Sequence, residues 1–105
     1  MADEKDEMYW KKYYKGVEES RENIREVTGH ESLIFLREPH FDEAIVGVTL
    51  EGQVVYDRDT IIQQLINVDQ LTEEDAWDHF DYNVHGTHIQ DGPVFINTVP
   101  KVQEP

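Results

Sequence analysis

The stretch that decides the fold is residues 44–57, AIVGVTL-EG-QVVYD. Residues 44–50 and residues 53–57 are both rich in β-branched and aromatic side chains, which is typical of strands. Glu51 and Gly52 separate the two runs, and a two-residue X-Gly loop in this setting is a hairpin signal. We therefore predict that the two runs pair as an antiparallel hairpin.

Two helices are predicted on the C-terminal side of this hairpin. Asp57 or Asp59 can cap a helix over residues 59–68, whose isoleucine, leucine and valine side chains form a wide apolar face. Residues 72–75, Thr-Glu-Glu-Asp, resemble a capping box and predict a second helix through about Tyr82. The first of these helices is expected to pack on one face of the sheet.

The remaining segments are two strands and a long helix. Residues 94–99 and residues 33–36 are short apolar runs that predict strands. Residues 3–28 carry apolar side chains at alternating spacings of three and four, which predicts one helix that stops at Gly29. The apolar stripe also follows a coiled-coil pattern, so a homodimer formed through this helix is an open alternative.

The predicted fold class is α+β. The order is an N-terminal helix, a small antiparallel sheet with the hairpin at residues 44–57, two helices and a final strand. The chain is predicted to be a single domain over residues 1–105, with residues 1–6 and 100–105 as frayed tails.

Charge is divided unevenly along the chain. Residues 1–30 hold six basic and eight acidic residues, a net charge of −2, whereas residues 31–105 hold three basic and fifteen acidic residues, a net charge of −12. Residues 59–100 contain no Lys or Arg. Such a field favours positively charged partners and argues against nucleic acid or anionic lipid as a direct ligand. Halophilic adaptation would also produce an acidic surface.

Motifs for chemistry are missing. The chain has no cysteine, no Gly-rich phosphate loop and no nucleophile elbow. His79, His85 and His88 could be drawn as a zinc site with nearby aspartates, but scattered surface histidines are the simpler interpretation. The N-terminus is acidic where a secretory signal would be basic, and no apolar run could span a bilayer. We expect no enzyme activity, cofactor, metal or membrane association.

The helix from Thr72 carries the densest group of carboxylates. At 100° per residue, Glu74, Asp78 and Asp81 share one face and Asp75 lies beside it. One carboxylate per helical turn recurs every ~5.4 Å, a spacing that can imitate a row of phosphates. A solvated face whose first-turn acids favour the helix dipole explains the same pattern.

Four segments between residues 44 and 84 stand out together: IVGV at 45–48, VVYDRD at 54–59, LTEEDA at 71–76 and DYN at 81–83. On these segments the chain resembles a family of small acidic phage and prophage proteins, whose pattern is VVYDYD, DGMTEEEA and DYNT. The chain departs from this pattern at Gln70, where the family has Gly, and again after Asn83. The resemblance implies a viral or mobile-element origin and no particular reaction.

Together these features predict an acidic inhibitor that acts in the cytoplasm of a host cell. It would bind a basic host protein such as a nucleic-acid-binding effector by nucleic-acid mimicry, as anti-CRISPR and similar anti-defence proteins do. The alternatives are a small acidic structural or regulatory module, either monomeric or homodimeric, and an ordinary halophile domain. The residues predicted to bind the partner are all carboxylates: Asp57, Asp59, Asp69, Glu73, Glu74, Asp75, Asp78 and Asp81.

Overall fold

The structure is a computed structural model that describes the backbone of residues 4–85 and 91–99 and the side chains of residues 11–82 and 91–99. The chain divides into two compact units, residues 1–32 and residues 33–105, and each unit is described by itself. A single domain over the whole chain therefore stays a prediction.

The first unit is one long helix, α1 (Glu4–Thr28), which confirms the predicted helix to within one residue. It includes residues 4–6, which the sequence predicts as part of a frayed tail. Gly29 ends the helix at a φ of 74°, and its N–H donates to the carbonyl oxygen of Arg25 at 2.9 Å. Glycine is favoured here because a Cβ atom disfavours the left-handed conformation. The fraying predicted for residues 1–3 and 100–105 lies outside the described residues.

The apolar stripe of α1 is only partly sheltered from solvent. Tyr13, Val17 and Ile24 are half-buried, and Val27 is 78% exposed. Trp10, the first member of the predicted stripe, lies outside the residues whose side chains are described. The homodimer through this helix stays a prediction.

The second unit contains the predicted hairpin, formed by β1 (Ile45–Val48) and β2 (Val54–Asp57). The two strands are antiparallel, with Gly47 opposite Val55 and Val48 opposite Val54. The register shifts by one residue between Ile45 and Gly47, so β1 carries a bulge at Val46. A bulge bends the edge strand and increases its twist, which limits pairing with a further chain.

The loop of this hairpin is longer than predicted. Thr49 N–H donates to the carbonyl oxygen of Gln53 at 2.8 Å, and Gly52 N–H donates to the carbonyl oxygen of Thr49 at 3.0 Å. Leu50, Glu51 and Gly52 therefore form a three-residue loop, and Gly52 has a φ of 92°. The predicted two-residue loop is wrong because the left-handed glycine completes a bulged turn in place of a two-residue turn.

The strand predicted at residues 33–36 is not formed. This segment has no regular secondary structure, although Leu33 is buried and Leu36 N–H donates to the Tyr56 hydroxyl oxygen at 2.8 Å. A 3₁₀ helix over Pro39–Ala44 follows and buries Phe41 and Ala44. The apolar run thus predicts the burial of Leu33 correctly, but the predicted strand is wrong. The Tyr56 hydroxyl accepts the Leu36 N–H, which a neighbouring strand would otherwise have accepted.

Both predicted helices are present on the C-terminal side. Helix α2 (Arg58–Asn67) begins directly after β2, with Asp57 as its N-cap. Helix α3 (Glu73–His79) begins after Thr72, whose hydroxyl accepts the Asp75 N–H at 3.1 Å. The predicted continuation of α3 to Tyr82 has a different geometry, because residues Phe80–His85 form a π-helical segment with wider turns.

The last strand, β3 (Val94–Ile96), is shorter than predicted and pairs with β2 in parallel. The sheet order is β1-β2-β3, with β2 in the centre. The α+β class is confirmed, but the sheet is mixed where the sequence predicted an antiparallel one. A parallel neighbour is accessible because residues 58–85 form a helical crossover long enough to return the chain to the same end of the sheet.

The core of this unit lies where α2, the 3₁₀ helix and β2 meet. Its largest fully buried side chains are Tyr56, Phe41, Ile61, Leu65 and Val54. Each such side chain contributes roughly 1.5–3 kcal/mol of apolar burial. Within the described residues, no helix has the length and apolarity needed to cross a membrane.

Candidate functional site

Asp57 belongs to the interior and not to the surface predicted for it. The residue is 7% exposed, and its carboxylate accepts four hydrogen bonds. Thr60 donates from its N–H at 3.2 Å and from its hydroxyl at 2.6 Å to Oδ2. Thr98 donates from its N–H at 3.3 Å and from its hydroxyl at 3.0 Å to Oδ1. The carboxylate thus joins the end of β2, the first turn of α2 and the segment after β3.

These bonds lower the pKa of the Asp57 carboxyl below its ordinary value of 3.8. The hydroxyl of Thr60 has the largest effect, burial opposes it, and the two Thr98 donors and the Thr60 N–H add to it. Hydrogen bonds to a charged acceptor stabilise the ionised form. Asp57 is therefore a structural carboxylate, and we leave it out of the candidate surface.

The remaining predicted carboxylates of helix α3 and its continuation are exposed. We call them the α3 acidic face: Glu73, Glu74, Asp75, Asp78 and Asp81. Ala76 and Phe80 of the same helical stretch are buried and Trp77 is half-buried, so the predicted separation of an acidic side from an apolar side is confirmed. Asp81 lies in the π-helical segment, where a step of 100° per residue does not apply.

Within the described side chains, 11–82 and 91–99, no carboxylate of the α3 acidic face forms an ion pair, although Arg58 and Asp81 line the same cavity. The ion pairs in those residues involve other carboxylates. Like charges that are close together and unpaired repel one another and create a negative potential in front of the helix. Such a surface accepts N–H donors from arginine or lysine, and it has the chemistry of a binding surface for basic groups.

Asp59 and Asp69 extend this surface less effectively, because each has a nitrogen nearby. Asp59 Oδ1 lies 3.6 Å from Arg58 Nη2, and Asp69 Oδ2 lies 3.5 Å from His40 Nε2. Both carboxylates are exposed, so these pairs contribute little to stability. The Arg58 guanidinium reduces the negative charge that Asp59 presents to a partner, and the His40 ring occupies one side of Asp69.

The sequence reasoning missed the surroundings of Arg58. Its guanidinium lies over the indole of Trp77, with the guanidinium carbon 4.7 Å from the ring centroid. A cavity of about 180 Å³ opens beside this stack. The signal that could have found it is in the charge pattern, since Arg58 is the only Lys or Arg between residues 38 and 100.

A metal site is not seen in the part of the chain that the structure describes, where no three His, Cys, Asp or Glu side chains are placed to share an ion. His79 is half-buried on α3. The side chains of His85 and His88, the other members of the histidine group, lie outside the described residues.

No family model, curated protein or solved structure matches this chain. The resemblance to acidic phage proteins therefore stays a prediction.

Proposed function

We propose that this chain is an inhibitor that binds a basic, nucleic-acid-binding protein through the α3 acidic face. An anti-CRISPR or similar anti-defence protein of phage or mobile-element origin is the concrete form of this proposal. Binding alone would inhibit the partner, because the chain would occupy the basic surface on which the partner binds nucleic acid.

The observation that carries the proposal is the exposure of five carboxylates on one short helical stretch without a described counter-ion. Glu73, Glu74 and Asp75 lie in the first turn of α3, where the helix dipole favours them, but no side-chain donor is described beside Asp78, in contrast to Asp57. Complementary charge raises the association rate and selects partners of opposite sign, and desolvated charge pairs contribute strongly when the fit is close. Net charge of −14 adds a long-range attraction to the same class of partner.

The test is a matched pair of triple variants. Glu74→Gln, Asp78→Asn and Asp81→Asn together remove three charges from the α3 acidic face while keeping side-chain size. Glu38→Gln, Glu51→Gln and Asp91→Asn remove three charges from exposed positions elsewhere in the same unit. Both variants have the same net charge. A difference between their affinities therefore reports the contribution of the α3 acidic face and not that of the net charge.

Binding is measured first by capture of partners from a bacterial lysate and then by titration with the purified partner. The α3 variant should lose at least about 100-fold in affinity, whereas the control variant should lose about tenfold or less. Duplex DNA should displace the partner from the wild-type chain, and raising the salt concentration should weaken the complex because exposed charges are screened. Equal affinities of the two variants, or a partner that holds DNA and this chain together, would overturn the proposal.

A further inference from the structure

Arg58 occupies an unusual position for a cation. It is the first residue of α2, where the positive end of the helix dipole disfavours a positive side chain. Its guanidinium is held by its face against Trp77 at 4.7 Å, and its side chain remains 36% exposed. The guanidinium is therefore a local positive group among carboxylates, since Asp57 caps the same helix and Asp59 follows it.

The hydrogen-bonding capacity of this guanidinium is largely unused within the described residues. In its ion pair with Asp59 the nitrogen and oxygen lie 3.6 Å apart, which is too long for a hydrogen bond. Its Nε is shielded from solvent and has no hydrogen-bond partner. A buried donor left without an acceptor is unfavourable, so an oxygen acceptor brought to this group would be favoured.

The cavity beside Arg58 has walls suited to a flat apolar group. It is lined by the aromatic side chains of Trp77, Phe80 and Phe95, with Ile96, Asn97 and Asp81 completing it. The Phe80 and Phe95 rings meet edge to face, with centroids 5.2 Å apart. Arg58 follows β2 and Asn97 follows β3, so the cavity lies beyond the carboxyl ends of two paired parallel strands, a position where α/β sheets commonly bind ligands.

We propose that this cavity binds a carboxylate attached to a single flat apolar ring. The ring packs among the aromatic walls and the carboxylate accepts N–H groups from Arg58, whose planar fork suits two carboxylate oxygens. A volume of about 180 Å³ is too small for a nucleotide or a drug-sized ligand and suits one ring with a short acidic side chain. This site is separate from the α3 acidic face, apart from Asp81, and does not depend on the proposed function.

Two sources share this chemistry, a free small aromatic acid and the C-terminal carboxylate of a peptide that ends in an aromatic residue. The Asp81 carboxylate and the net negative charge both oppose an anion. We therefore expect dissociation constants in the millimolar range for a small acid, and we expect its binding to strengthen as added salt screens the negative field.

The test compares 3-phenylpropionate with its neutral amide, with binding followed by NMR at the Arg58 Nε–H and the Trp77 indole N–H. The acid should bind at least about fivefold more tightly than the amide. Arg58→Gln should remove this preference while leaving weak binding of both compounds. Asp59→Asn, which removes the neighbouring carboxylate but keeps Arg58, should retain or increase it. A well-dispersed NMR spectrum of each variant establishes that it is folded.

A tripeptide that ends in phenylalanine, with a free or an amidated C-terminus, distinguishes the two sources. Tighter binding of the free peptide than of 3-phenylpropionate assigns a peptide terminus, and the reverse order assigns a small acid. The proposal is overturned if the amide binds as tightly as the acid, if Arg58→Gln leaves the preference unchanged, or if no saturable shift occurs. The dependence on salt distinguishes this proposal from the proposed function. High salt should dissociate a basic partner from the α3 acidic face, whereas it should not dissociate the aromatic acid from the Arg58 cavity.

Discussion

Asp57 and the α3 acidic face are carboxylates of the same unit in opposite environments. Asp57, at the junction of β2 and α2, is buried and accepts four hydrogen bonds. The α3 acidic face is exposed, and none of its carboxylates forms an ion pair within the described residues. A buried charge requires donors to replace water, whereas an exposed charge keeps its water and can exchange it for a partner. The difference teaches that an acidic sequence must be divided by environment before its charge is assigned to function.

The largest expected effect comes from removing the buried carboxylate. Asp57→Ala should lower the free energy of unfolding by about 3 kcal/mol, because it removes an N-cap and leaves the Thr98 donors without their acceptor. Urea denaturation followed by circular dichroism measures this loss. Asp59→Ala, two residues away and exposed, is the control and should change the free energy by about 0.5 kcal/mol or less. Equal losses of stability from the two substitutions would show that the buried carboxylate supports the fold no more than an exposed one does.

A smaller effect should appear when only the charge of Asp57 is removed. Asp57→Asn should cost about 1–2 kcal/mol at pH 7, because bonds to a charged acceptor become bonds to a neutral one. The pKa of Asp57 is lowered in the folded state, so its ionised form stabilises the fold above the ordinary pKa of 3.8. That contribution is lost as the pH falls through the lowered folded value.

The gap in stability between wild type and Asp57→Asn should therefore narrow below about pH 4. Taking the difference between the two chains cancels the effect of protonating the other carboxylates. A gap that stays constant down to pH 3 would show that the charge of Asp57 is irrelevant to stability.

The connection between α2 and α3 allows a third, still smaller test. Gln70 has a φ of 59°, a conformation that favours glycine, and it is the position where the resembling phage pattern has Gly. Gln70→Gly should raise the free energy of unfolding by about 0.5 kcal/mol, since relief of the left-handed strain exceeds the added freedom of the unfolded chain. Gln63→Gly, at an exposed position within α2, should instead destabilise by about 1 kcal/mol. Thermal denaturation of both variants compares the signs.

The smallest effect on stability is expected at the α3 acidic face. The triple variant at Glu74, Asp78 and Asp81 should change the free energy of unfolding by about 0.5 kcal/mol or less, with a slight gain at low salt from reduced repulsion. Denaturation at low and high salt checks both the size and the sign. A loss above about 1 kcal/mol would mean that these carboxylates support the fold, and their proposed binding role would lose its basis.

Local patterns predicted the elements of this fold better than their arrangement. The hairpin, α1, α2 and the start of α3 follow from β-branched runs, apolar spacing and capping residues that act within a few positions. The parallel β3 could not be predicted in the same way, because its direction depends on how the connection over residues 58–93, which includes α2 and α3, returns to the sheet. The false strand at residues 33–36 has the same cause, since apolar side chains report burial and pairing partners decide strand formation.

In the candidate site, too, local features could be predicted from the sequence and long-range contacts could not. Exposure of the acids in α3 follows from helical spacing relative to Ala76 and Phe80, and the structure confirms it. The burial of Asp57 could not be foreseen from its cap position alone, because two of its donors come from Thr98. The Arg58 cavity was missed for the same reason, as its walls come from three segments that are distant in sequence.

The two threonines that bind Asp57 also set an order of events during folding. Thr60 is three residues from Asp57 and can donate as soon as the first turn of α2 forms, whereas Thr98 is 41 residues away and donates only after the crossover has closed. Closing a loop of that length carries an entropic cost that the early contacts must offset. Removing the Thr60 hydroxyl should thus mainly slow folding, and removing the Thr98 hydroxyl should mainly speed unfolding. The Asp57 carboxylate would then take part in both an early and a late step of the same folding reaction.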